Sequence, residues 1–178
     1  MAVITLLSPK GGVGKTTAAL LLATELAQSG SVILVDADPN FPLAKWASLP
    51  GKPDNIEVIQ EIDEDGSIDT IDDAQKRAQF VVVDLEGRAS ARVTNALLMT
   101  HLALVPLQGS VLDSDQAARA FQSIRRASTA ARREIAFAAV YTRTPASTWV
   151  RSRVAQSIAE NIEAAGITAL PTPIAERT

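Results

Sequence analysis

Eight consecutive residues carry the densest chemistry in the sequence: Lys10-Gly11-Gly12-Val13-Gly14-Lys15-Thr16-Thr17. The glycines permit backbone angles that turn successive N–H groups inward around an anion. A lysine follows to neutralise that anion, and a hydroxyl follows the lysine. The run lies between the apolar stretch Ala2–Leu7 and a segment, Thr16–Gln28, in which Leu20, Leu21, Ala23, Leu26 and Ala27 recur at helical spacing before Gly30. Strand, glycine turn and helix in that order make a phosphate grip, because the positive end of the helix dipole adds to the inward amides. The expected ligand is the phosphate tail of ATP, cradled by Gly11, Gly12, Val13, Gly14, Lys15, Thr16 and Thr17. Lys15 would reach the β- and γ-phosphates and the Thr16 hydroxyl would hold Mg2+. The general pattern G-x-x-x-x-G-K-[ST] has a glycine where this chain has Pro9, so the loop matches K-G-G-x-G-K-T instead.

Carboxylates follow two further apolar runs. Ser31–Val35 ends at Asp36, within Asp36-Ala37-Asp38-Pro39-Asn40, and Phe80-Val81-Val82-Val83 ends at Asp84. Behind a phosphate loop, Asp84 at the end of its apolar run is expected to hold Mg2+ through water. Asp38, just before a proline, has a turn-forming role as its alternative.

The elements that must position these residues alternate. Strands are expected over Ala2–Leu7, Ser31–Val35, Ile56–Gln60, Phe80–Val83, Leu102–Leu107, Ile135–Tyr141 and Ile167–Leu170. Helices are expected over Thr16–Gln28, Leu43–Leu49, Asp63–Arg77 (an acidic, exposed crossover), Arg92–Met99, Ser114–Ala127 and Ser147–Ala165, the last closed by Gly166. Short strands apolar on both faces, separated by helices, predict an α/β fold: one domain over residues 1–178 with a mostly parallel twisted sheet flanked by helices on both faces. Ligands of such sheets bind at the carboxyl ends of the strands, which is where the loop and the carboxylates fall.

The run Lys10–Thr17 resembles the deviant Walker A motif of the ParA/MinD family of P-loop ATPases. The resemblance implies a homodimer on ATP binding, in which Lys10 reaches across the interface to the partner's nucleotide and hydrolysis depends on dimerisation. It makes Lys10, Lys15 and Asp38 the catalytic set, with Asp38 positioning or activating the attacking water. It puts Asp36 near the outer shell of Mg2+, beside Thr16 and Asp84. Asn40 stands where the family usually has Gln, and Phe41-Pro42 replaces the glycine that often follows. Asp84-Leu85-Glu86-Gly87 is similar to the family's second switch, where the Gly87 N–H approaches the γ-phosphate. The segment Val105-Pro106-Leu107-Gln108-Gly109-Ser110 through Asp113 is similar to one that lies near the family's dimer interface, with Gly109 in place of a second proline. Thr142 and Arg143, then Pro171 and Ile174, fall where the family contacts adenine; a plain turn is the alternative for each.

Within that family the chain most resembles the short ParA-type partition ATPases. The resemblance implies non-specific binding of double-stranded DNA, a ParB-type DNA-binding adaptor that stimulates hydrolysis, and plasmid or chromosome partition. Charge is consistent with this. Residues 1–90 hold 7 basic and 14 acidic side chains, and residues 91–178 hold 10 arginines against 6 acidic side chains. Arg125 and Arg126, Arg132 and Arg133, and Arg151 and Arg153 form close pairs suited to phosphates; solvated helix surface is the alternative. An aromatic content of 4% argues against base stacking on single strands. The alternative function is a MinD-like or other cargo-positioning ATPase acting at a membrane or protein surface, but no Lys-rich amphipathic helix of the MinD kind is present, and no membrane partner is expected. Family members usually run past a segment like Ile174–Arg177, which leaves open a further tail.

Composition excludes other classes. The chain has no Cys, which removes disulfides, thiolate metal sites and the cysteine-held cluster of an iron protein. Its one His, His101, sits at the start of an apolar run and is expected to be structural. Met1 leads into the first strand without a basic leader region, and no apolar run approaches the ~20 residues of a membrane-spanning helix. The expected location is the cytoplasm, on the nucleoid when ATP is bound.

Overall fold

Four short aliphatic runs form the centre of the molecule because each is apolar on both faces and must be covered on both. They are β1 (Ala2–Leu6), β2 (Val32–Ala37), β4 (Phe80–Leu85) and β5 (Leu102–Leu107); β2 is buried along its whole length. With β3 (Ile56–Gln60), β6 (Ala136–Pro145) and β7 (Ile174–Glu176) they build one sheet in the order β3-β2-β4-β1-β5-β6-β7. Every pairing is parallel. The computed structural model describes residues 1–61, 63, 66–88, 90–108, 111–145, 153–164 and 166–176, with side chains at all of these except 111–114, 145, 153–155, 158 and 159.

Among the described residues six helices cross between the strands: α1 (Lys15–Leu26), α2 (Pro42–Ala47), α3 (Ser67–Arg77), α4 (Ala91–Met99), α5 (Val111–Ala131) and α6 (Arg153–Ala164). On one face α1 lays Ala18, Ala19 and Ala23 against Ile4, Leu6, Leu34 and Val82, beside Leu43 of α2. On the other face Ile71 of α3, Val93 and Leu97 of α4, Phe121 and Ile124 of α5 and Ile162 of α6 pack on Val3, Ile33, Val81 and Val105. The buried positions of α5, Ala117, Ala120, Phe121, Ile124 and Ala127, follow the spacing of one helical face. The chain moves to one side of β1 for β2, β3 and β4 and to the other for β5, β6 and β7, so the strand order reverses at β1. A crevice therefore opens at the carboxyl end of β1, where the glycine loop begins.

The expected elements are present, with one exception. Ile167–Leu170 is not a strand: Ala169 makes an isolated bridge to Ala139, and the seventh strand forms at Ile174–Glu176. Pro171 and Pro173 supply no N–H and interrupt a ladder there. The longer β6 continues to Pro145 and offers pairing beyond them. α5 extends past both expected ends, and α6 begins at Arg153; residues 146–152 lie outside the described residues. His101 has the structural role expected of it: its Nδ1 accepts from Val3 N at 3.0 Å. Burial, helped by Arg133 and the N-terminus, holds its pKa below the ordinary imidazole value.

Candidate nucleotide site

The glycine loop needs positive φ at Gly12 (71°) and Gly14 (95°), angles that an L side chain rarely adopts. Gly14 is the N-cap of α1, with its carbonyl accepting from Ala18 N at 2.9 Å. Gly14 has no side chain with which to cap this helix end, whose first amides suit an anion. Lys15 enters from the first turn and is only 8% exposed. Gly87, after β4, is pressed against the loop: a Cβ there would lie 3.5 Å from Gly11 N and 3.6 Å from Lys15 Nζ.

The loop's carbonyls face the other way and are held from outside. Thr142 Oγ1, on β6, donates to Val13 O at 2.7 Å. Gln108 Nε2, just past β5, donates to Gly12 O at 3.1 Å, and Gln108 Oε1 accepts from Lys10 Nζ at 3.3 Å. Lys10 thus lies on the carbonyl side of the loop, near Gly12, while Lys15 starts the helix.

Two carboxylates meet beside the loop, and Asp38 acts on both through its charge. Asp36 and Asp84 are register partners on adjacent parallel strands, and both are fully buried. Thr16 Oγ1 donates to Asp84 Oδ2 at 2.6 Å. Burial pushes the Asp84 carboxyl up to about 6, against the pull of Thr16 and Lys15 and with help from Asp36 and Asp38. Burial also raises Asp36, although backbone amides of Ala44 and Leu43 oppose it. Those amides belong to the first turn of α2, which Asp36 caps. Its Oδ2 accepts from Leu43 N at 2.9 Å and from Ala44 N at 3.0 Å. The turn alternative for Asp38 is realised as well. Its Oδ1 accepts from Asn40 N at 2.8 Å and Asn40 Nδ2 at 2.9 Å, and Phe41 follows in the left-handed region.

The second oxygens, Asp36 Oδ1 and Asp84 Oδ1, are buried with no hydrogen-bond partner among the described residues. Such orphaned acceptors fit a hydrated cation, whose water can donate to them. Among the described residues no three His, Cys, Asp or Glu groups could hold a metal by themselves.

The expected base contacts divide. Thr142, Arg143 and Ile174 line a cavity of about 250 Å3 with Gly14, Thr17, Ala175 and Glu176. Pro171 is exposed and is not among its lining residues. Arg143 has φ 52° where the β6–β7 register shifts, a bulge that re-aims the strand at the cavity's edge.

Two of the three arginine pairs lie among the described side chains. Arg125 and Arg126 lie in the last turns of α5, and Arg132 and Arg133 just after it, all exposed and all near the amino end of β6. Arg133 also donates to Leu98 O at 2.8 Å. Arg153 opens α6, which follows β6 from the carboxyl end of the sheet; its side chain and all of Arg151 lie outside the described residues.

Two residues of the site escape pattern reading. Arg92, in the first turn of α4, is 5% exposed and donates from Nη1 to Ala37 O at 3.3 Å. Glu86 is buried beside Arg88, whose Nε lies 2.7 Å from Glu86 Oε2. Burial pushes Glu86 up, but Ser90, Arg88 and Arg92 outweigh it and hold the carboxyl below its ordinary value. An arginine at the start of a helix carries no sequence signal of burial.

Residues 1–178 match the VirC1 protein family. The chain is 36% identical to Protein ParA of Rhizobium radiobacter over its whole length and 80% of that protein. The chain belongs to the ParA/VirC1 family of ParA-type ATPases. With the glycine loop and its carboxylates in place, this family member is an ATPase that uses ATP and Mg2+. It is also 30% identical to maintenance of carboxysome distribution protein A of Halothiobacillus neapolitanus, over 94% of this chain and 76% of that one. Apo McdA of Cyanthece shares the fold, with a TM-score of 0.85 at 16% identity over 99% of this chain and 86% of that chain. A Borrelia burgdorferi plasmid partition protein bound to AMPPNP does so at 0.73, with 16% identity over 99% of this chain and 87% of that chain.

Proposed function

We propose that this ParA-type ATPase dimerises around ATP, binds double-stranded DNA without sequence preference, and partitions a plasmid or chromosome under control of a ParB-type adaptor. The observation that carries the reading is the placement of two lysines on opposite faces of one loop. Lys15 starts the helix whose amino end would face the anion, and Lys10 rests on Gln108 at the carbonyl face.

In this reading Gly11 to Thr17 bind the triphosphate, and Thr142, Arg143 and Ile174 border the base, with Pro171 outside that cavity. Thr16, Asp36 and Asp84 would hold Mg2+, Asp84 and Asp36 through water at their orphaned oxygens, and the ion would supply positive charge to offset that of the phosphates. Asp38 orients water once its carboxylate is released from the Asn40 turn. Lys10, delivered by the partner subunit, stabilises charge on the transferred group as an arginine finger would. ATP-bound protein is then on the nucleoid, held by arginine pairs, and hydrolysis releases it.

Lys10→Ala should therefore bind ATP but neither hydrolyse it nor dimerise on it. Unchanged turnover in that variant removes the trans-acting lysine. Co-sedimentation with random duplex DNA tests the rest: retention with ATP but not ADP is expected, and equal retention in both states counts against partition. A second reading, positioning of a protein cargo on the same DNA track, is favoured by the 30% identity to a carboxysome distribution protein. It predicts the same DNA retention, with release triggered by a cargo-bound adaptor. Among the described residues no helix is long and apolar enough to cross a membrane.

A further inference from the structure

We propose that Gln108 is a positioning residue of the ATPase, a two-ended clamp that sets both the Gly12 peptide and the resting place of Lys10. Gln108 follows β5 directly, and its Nε2 reaches Gly12 O at 3.1 Å while its Oε1 takes the Lys10 ammonium at 3.3 Å. A carbonyl needs a donor and an ammonium needs an acceptor. A primary amide supplies both at one end of an uncharged side chain, so these two partners fix which way it faces.

The physical need arises from the loop itself. A peptide that aims its N–H groups at an anion must aim carbonyls outward, and an outward carbonyl without a donor costs free energy. Gly12 has φ 71° and no Cβ, so its own side chain cannot restrain the peptide. At the next residue the Thr142 hydroxyl supports Val13 O from β6. Gln108 does the same for Gly12 from β5. The ends of two neighbouring strands thereby set the outer face of the loop, and Gln108 acts on the reaction through Gly12 and Lys10.

The two ends separate in experiment. The Lys10 end rests on the trans-acting role proposed above, and the Gly12 end does not. The full chain, Gln108→Leu and Gln108→Glu are titrated with a fluorescent ATP analogue, and turnover is measured at saturating MgATP. Both variants lose the donor to Gly12, so both should bind nucleotide roughly five- to tenfold more weakly, the loss of one hydrogen bond. They should diverge in kcat. Leucine takes away the amide acceptor of Lys10 and adds no charge, so kcat should stay at or above that of the parent chain. Glutamate holds Lys10 by charge, so kcat should fall several-fold. Nucleotide affinity within twofold of the parent in Gln108→Leu overturns the clamp, as does equal kcat in the two variants. If the leucine variant does not fold, the isosteric glutamate variant decides alone: an unchanged kcat overturns the proposal. Lys10→Ala is run in parallel. If it abolishes turnover while Gln108→Leu binds normally, the clamp fails and the trans-acting lysine stands. If it turns over normally while Gln108→Leu binds weakly, the Gly12 end stands and the lysine reading fails.

Discussion

The Thr16 hydroxyl donates to Asp84 Oδ2 at 2.6 Å, joining the first turn of α1 to the end of β4. Two groups expected to share one cation are therefore already in contact, and the remaining Asp84 oxygen is buried without a hydrogen-bond partner among the described residues. The site is thus assembled at a cost to stability, which mutation and pH can measure.

Asp84 bears that cost. Its carboxyl lies at about 6 in the folded chain against 3.8 ordinarily, chiefly through burial. A raised carboxyl contributes stability that is present below the unfolded value and lost as pH rises through the folded one. Two pH units correspond to about 3 kcal/mol. Asp84→Asn should raise the stability of the metal-free protein by about 1–3 kcal/mol at pH 7.5 and abolish magnesium-dependent turnover. Denaturation from pH 8 to 4 should show the advantage of the variant shrinking. In the parent chain, Mg2+ affinity should fall as pH drops through about 6, where a proton competes for Asp84.

Thr142 reports on the back of the loop. Its hydroxyl serves Val13 O at 2.7 Å and Leu107 O at 3.2 Å, so Thr142→Val keeps the shape and leaves the loop carbonyl without its donor. A loss of about 1–2 kcal/mol in stability is expected, with nucleotide affinity reduced several-fold. Calorimetric titration with ADP checks the second effect; parent-like affinity would mean that the loop holds its form unaided.

Gly87 discriminates between nucleotides. An added Cβ meets only ordinary contacts, 3.5 Å to Gly11 N and 3.6 Å to Lys15 Nζ, so Gly87→Ala should fold normally. It should crowd the space beside the lysine that the terminal phosphate needs. ATP affinity is expected to drop by about tenfold, equivalent to about 1.4 kcal/mol, with ADP affinity nearly unchanged. Equal losses for both nucleotides would place Gly87 away from the γ-phosphate.

Arg92 couples the last residue of β2 to the loop after β4. It donates to Ala37 O and helps to hold Glu86 ionised. Arg92→Met should cost about 2–3 kcal/mol, because a buried carbonyl and a buried carboxylate each lose a cationic neighbour. Arg92→Lys should recover part of that. Chemical denaturation of the three proteins measures both; a methionine variant as stable as the parent would remove the coupling.

The arginine pairs near the amino end of β6 give a charge-reversal test of DNA binding. Replacing Arg125 and Arg126, or Arg132 and Arg133, by Glu should weaken retention on random duplex DNA in ATP. It should also lower the slope of log affinity against log salt by about 1 for each phosphate that is no longer neutralised. Arg133→Glu should in addition destabilise the chain, because its hydrogen bond to Leu98 O goes with the guanidinium. Parent-like slopes would exclude this end of the sheet and leave the Arg153 end.

Glycine spacing, apolar runs and the residue that closes each run are local signals. They placed the glycine turn between β1 and α1, put Asp36 and Asp84 near the carboxyl ends of β2 and β4, and anticipated the alternation that makes the sheet parallel. They also misplaced the last strand. The apolar run Ile167–Leu170 has the composition of a strand, but the prolines that follow and the length of β6 decide where pairing occurs. Folding in three dimensions was needed to join Gln108 to Gly12 across 96 positions and Thr142 to Val13 across 129. It was needed as well to bury Arg92, to seat Asp36 at the start of α2, and to set Arg125 to Arg133 near the opposite end of β6 from that which leads to Arg153. A hydrogen bond between distant positions depends on which strands become neighbours, and strand order is fixed by how helices cover the whole sheet.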